Sequence, residues 1–102
     1  MVAVVEDRTQ EVAALCCRHS VKRLELFGSA ANGEFDPATS DLDFLVEFLP
    51  LTPARHADAY FGLLEALQDL FGREVDLVEA RAVSNPYVLD SINQSRTVIY
   101  AA

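Results

Sequence analysis

Apolar residues recur with two periods along this chain, and the switches between them mark out its elements. Within residues 6–19, Val12, Leu15, Cys16 and His19 fall at i, i+3, i+4 and i+7, the spacing of one helix face, with His19 closing the stripe as a partly buried or capping residue. Across Val21–Phe27 the period drops to two, with Leu24 and Leu26 on one face and Val21, Arg23, Glu25 and Phe27 on the other. Residues 32–37 are rich in turn formers and predict a loop. A second strand follows over residues 41–48. Thr52 and Pro53 then open a long helix, because Thr is a good N-cap and Pro suits the first helical position. Tyr60, Leu63, Leu64, Leu67, Leu70 and Phe71 form its apolar stripe, and Gly72 is its natural stop. Residues 75–78 form a third strand, and Asn85-Pro86 repeats the cap-and-proline signal at the head of a helix through Ile92. Residues 97–100, β-branched and aromatic, form the last strand. The order α-β-β-α-β-α-β predicts an α/β fold with helices packed on a sheet. The two consecutive early strands suit antiparallel pairing, so the sheet is expected to be mixed.

Composition narrows the function. The 102 residues suit one domain, spanning 1–102, and 51% hydrophobic content supports a real core. Eight Lys and Arg against sixteen Asp and Glu leave a net charge of −8. Phosphate contact is mostly electrostatic, so direct nucleic-acid binding is not expected, whereas a metal site or a basic partner is. Cys16 and Cys17 are adjacent and cannot readily meet the geometry of a mutual disulfide. Neither lies near a His or Cys at zinc-ligand spacing; Cys16 is expected in the core and Cys17 partly exposed. With no signal peptide and no apolar span, the chain reads as cytoplasmic and without membrane contact.

The chemistry is concentrated between Leu26 and Phe48. Asp41 and Asp43 are two apart on a predicted strand and share a face, while Leu42, Phe44 and Val46 turn to the core. Asp is disfavoured in strands, and two on one face repel each other. A divalent cation relieves both problems, and hard carboxylate oxygens suit Mg²⁺. Asp76, between Val75 and Leu77, joins the pair if its strand lies beside the second one. Three carboxylates can hold two metal ions about 4 Å apart, the clamp used in phosphoryl transfer. Gly28 directly follows a strand, where the lack of a side chain lets backbone approach an anion, and the Ser29 hydroxyl can donate to a phosphate. Ser40 is a further nucleotide-binding candidate.

Gly28-Ser29, about eleven residues of loop, then Asp41-Leu42-Asp43 in an apolar strand resembles the nucleotidyltransferase superfamily of the DNA polymerase β type. The wording from Phe27 to Phe48 is similar to that of the minimal nucleotidyltransferase, or MNT, proteins, and the likeness extends through Val75-Asp76-Leu77-Val78-Glu79 and Asn85-Pro86-Tyr87. The resemblance implies the polymerase β-like nucleotidyltransferase fold and an antitoxin paired with a HEPN-domain toxin, itself an RNase. It implies transfer of AMP from ATP to a tyrosine of that toxin, with Gly28 and Ser29 on the triphosphate and Asp41, Asp43 and Asp76 on metal. One departure is Asn32, where many members carry Arg; a guanidinium there would offer a bidentate phosphate contact.

Blander roles exist for each residue. Asp41 and Asp43 could cap the turn after Ser40, and Asp76 joins them only if the inferred strand order holds. Glu47 and Glu79 are expected at strand ends in solvent, His56 as a solvated helix residue, and Tyr87 and Tyr100 in core or interface. Leu49, Pro50 and Leu51 suit ordinary packing or a partner contact. Two other functions compete with the enzyme reading. One is a binding module that covers a basic partner without chemistry; the other is a homodimeric nucleotidyltransferase acting on a small molecule. The domain is too small to hold a separate acceptor-binding domain, which favours an acceptor delivered by a second protein.

Overall fold

The computed structural model describes residues 3–28, 31 and 41–102. The expected loop at 32–37, and with it Ser29, Asn32 and Ser40, lies outside the described residues. Two helices open the chain, α1 (Ala3–Glu6) and α2 (Thr9–Arg18). The strands are β1 (Val21–Phe27), β2 (Leu42–Phe48), β3 (Val75–Glu79) and β4 (Thr97–Ala101). Helix α3 (Pro53–Phe71) links β2 to β3, and helix α4 (Pro86–Ser95) links β3 to β4 after a single 3₁₀ turn at Ala80–Ala82.

The sheet has the order β3-β2-β1-β4. β1 pairs antiparallel with both β2 and β4, and β2 pairs parallel with β3, so the expected mixed sheet is present. The parallel pair requires a crossover, and α3 supplies it. Its caps work as expected: the Thr52 hydroxyl accepts from the Arg55 amide at 3.4 Å, and Gly72 adopts φ 63° and closes the last turn on the Gln68 carbonyl.

The core lies between α1, α2 and α3 and one face of the sheet. Val5, Val12 and Cys16 meet Leu63 and Leu67 over Leu24, Leu26, Leu42, Phe44, Val46, Val75 and Leu77. Cys16 is fully buried there and Cys17 is exposed, as expected. The Cys17 sulfur sits 3.3 Å from the Tyr100 hydroxyl. Helix α4 packs on the opposite face, where its buried residue is Ile92.

Three local predictions need correction. The single helix expected over 6–19 is two helices broken at Asp7-Arg8. The Thr9 hydroxyl takes the Glu6 carbonyl at 3.4 Å, a side-chain bond that competes with the helical ladder. Val21 is buried with Leu24 and Leu26 instead of facing away from them, because the ladder shifts register between Val21 and Arg23 and flips its side. Helix α4 runs past Ile92 to Ser95, an extra turn that matters below.

Candidate active site

Three strand ends meet at one edge of the sheet. The ladder places Phe27, the last residue of β1, opposite Asp43, and Asp43 opposite Asp76 on β3. Because Leu42, Phe44, Val75 and Leu77 are buried in the core, the alternation of each strand turns Asp43 and Asp76 to the other face. Asp76 therefore joins Asp43, as the inferred strand order required. The two carboxyls are within hydrogen-bonding reach of each other, a bond that forms only when one of them is protonated. Burial, that bond, and the charges of Asp76 and Asp41 push Asp43 up to about 6.

Asp41 lies one residue ahead of β2 and is exposed, so it reaches Asp43 through charge and not through a shared bond. Among the described residues, no three His, Cys, Asp or Glu side chains already form a metal-holding group. The Asp43–Asp76 pair fits Mg²⁺ by donor chemistry. Two carboxylates side by side suit a cation that neutralises both, and Mg²⁺ is commonly held by one or two carboxylates with substrate phosphates filling other positions.

Gly28 is bound to this pair for two reasons. Its φ is +74°, in the left-handed region that glycine adopts without penalty. A Cβ at this position would collide with the Asp43 carboxylate oxygen. The turn is closed by the Ala31 amide donating to the Gly28 carbonyl at 3.1 Å. The Gly28 amide itself donates to Ser95 Oγ at 3.0 Å.

Sequence reasoning missed Ser95 and a charged cluster below it. Glu25 is 1% exposed, accepting from Arg23 Nε and from Arg96 Nε at 2.6 Å each. Burial alone would raise its pKa, but the two bonds and the two guanidinium charges outweigh it and hold the carboxyl below its usual value. Alternation placed Glu25 on the face away from the core, where Arg23 and Arg96 meet it; no short-range signal announced it. Two other residues differ from expectation. His56 is half-buried and bonded to Glu79, also half-buried, so neither is simply in solvent. Packing of α3 against β3 brings them together. Glu47 is half-exposed and pairs with Lys22 at 3.6 Å. Tyr87 is 86% exposed and so not in the core, whereas Tyr100 packs against it in part.

A carboxylate pair on adjacent strands, pressed against a glycine turn on a mixed α/β sheet, is the arrangement expected of the nucleotidyltransferase class. The nucleotidyltransferase domain model matches residues 10–99. A Methanocaldococcus jannaschii protein provisionally named a protein adenylyltransferase is 38% identical over 76% of this chain and 75% of its own. A solved structure provisionally named a minimal nucleotidyltransferase superposes with TM-score 0.68 at 32% identity, covering 95% of each chain. A tri-AMPylated Shewanella oneidensis HEPN toxin in complex with MNT antitoxin matches in fold, with TM-score 0.65 at 18% identity, over 96% of this chain and 73% of that one. The chain belongs to the nucleotidyltransferase domain family and is an enzyme of that class. Among the described residues, no helix is long and apolar enough to cross a membrane.

Proposed function

We propose that this chain is an antitoxin that transfers AMP from ATP to a tyrosine hydroxyl of a HEPN-domain toxin and thereby neutralises it. The observation that carries the reading is the Asp43–Asp76 pair set against the Gly28 turn. The likeness to a named protein adenylyltransferase, and to the fold of an antitoxin bound to an AMPylated toxin, supports the choice of acceptor.

Asp41, Asp43 and Asp76 would hold Mg²⁺, with two ions expected for three carboxylates. The ions would neutralise phosphate charge and ease loss of the acceptor proton. The chain's own part is to bind and orient. Gly28 lets the turn lie against Asp43, and Ser29 and Ser40 are assigned to the triphosphate. In the transfer, the acceptor oxygen bonds to the α-phosphorus, the bond from that phosphorus to the β-phosphate bridge breaks, pyrophosphate leaves, and the hydroxyl proton passes to solvent. The acceptor protein itself would complete the walls of the site and exclude water.

The test is co-expression with the HEPN partner, followed by intact-mass measurement of that partner. An AMP increment with wild type, absent with Asp43→Asn/Asp76→Asn, supports transfer. Full neutralisation by the double variant with no increment in either case would sink the enzyme reading and establish a binding module.

A further inference from the structure

We infer that Ser95 is a positioning residue for the nucleotide site, holding the Gly28 turn in place over Asp43. This rests on the nucleotide-binding role proposed above. Ser95 is the last residue of α4, 67 positions from Gly28 in the chain, yet its hydroxyl accepts the Gly28 amide at 3.0 Å. The next residue, Arg96, reaches the same strand three positions earlier, at Glu25. The C-terminal end of α4 is thus tied to the end of β1 at two points, a neutral bond at Gly28 and a part-buried charged bond at Glu25.

The turn needs such a hold. Gly28 ends the β1 ladder at Phe27, so no strand partner takes its amide. Glycine at φ +74° is also the residue with most freedom to leave that conformation. The space between Gly28 and Asp43 is too small for a methyl group, so a small shift of the turn changes the carboxylate's surroundings directly. Ser95 supplies the missing acceptor. Its hydroxyl keeps lone pairs for one donor and a hydrogen to give elsewhere, so the bond does not require Ser95 to leave when nucleotide arrives. The Gly28 amide is accordingly a holding group, already committed to Ser95.

Removal of the hydroxyl should loosen the site more than it loosens the fold. The experiment measures the dissociation constant for Mg²⁺-ATP by calorimetry, and the melting temperature, for wild type, Ser95→Ala, Ser95→Thr and Thr52→Ala. Thr52→Ala removes the remote α3 cap and serves as a matched loss of stability. Ser95→Ala should weaken Mg²⁺-ATP binding about tenfold, the scale of an amide left without its acceptor. Ser95→Thr, which keeps the hydroxyl, should stay within about twofold of wild type, as should Thr52→Ala despite its lower melting temperature. If Ser95→Ala merely melts earlier and binds Mg²⁺-ATP as wild type does, the inference is overturned while the proposed function stands. If wild type itself binds no Mg²⁺-ATP, the nucleotide reading fails, and the positioning role falls with it.

Discussion

Replacing Arg96 with Met would leave the buried Glu25 carboxylate with one cation instead of two. In the native fold each carboxylate oxygen has its own guanidinium, Arg23 on Oε1 and Arg96 on Oε2, both at 2.6 Å. The Glu25 side chain is 2% exposed, so water cannot replace the lost partner without the structure opening. Removing one member of a buried pair costs about 3–5 kcal/mol, and losing one hydrogen bond to a charged group about 1.5–3 kcal/mol. Arg23 remains, and the Arg96 side chain is 40% exposed, so the lower range applies and about 2 kcal/mol is expected. For a domain of this size that is about 8–16 °C in Tm. The loss should also depend on pH. Because the folded pKa of Glu25 is lowered, its stabilisation is fully present above the ordinary glutamate value of about 4.3. It drains away as pH falls through the lowered folded value. Urea unfolding followed by circular dichroism, with both proteins at pH 7 and at pH 3, reads the difference. A gap below about 0.5 kcal/mol at neutral pH, or one that persists undiminished in acid, would refute an electrostatic origin.

Other outcomes follow from the site. Gly28→Ala puts a Cβ against the Asp43 carboxylate at a positive φ, and should lower Tm and abolish Mg²⁺-ATP binding together; a binding isotherm like that of wild type would contradict the close approach. Asp43→Asn removes one of two repelling carboxylates, so without metal it should stabilise the fold, by about 1 kcal/mol after solvent screening, read as a higher Tm in chelator. Mg²⁺ with ATP should raise the wild-type Tm by linkage, a shift that Asp41→Asn abolishes and Glu47→Gln largely keeps, measured by paired thermal melts.

The chain's local chemistry determined its elements and their order. Thr52-Pro53 and Gly72 bracket α3, Asn85-Pro86 opens α4, and two-residue alternation marks β1 and β2. Caps, turns and alternation act over a few residues, so they can be read from neighbours alone. Asp43 with Gly28 was legible as a motif, and the antiparallel β1–β2 register brings the two together. Asp76 was visible as an acid in a strand, but its place beside Asp43 depended on β3 pairing with β2, which the family resemblance suggested and the parallel register displays. The helix break at Asp7-Arg8 and the register shift after Val21 escaped sequence reasoning, because each turns on one hydrogen bond or one extra residue that leaves the hydrophobic pattern nearly unchanged. Glu25, Ser95 and Arg96 could be found only in three dimensions. Their partners lie 67 and 71 residues away, and what makes each matter is burial under α4 and an amide with no strand neighbour, neither of which leaves a trace in local spacing.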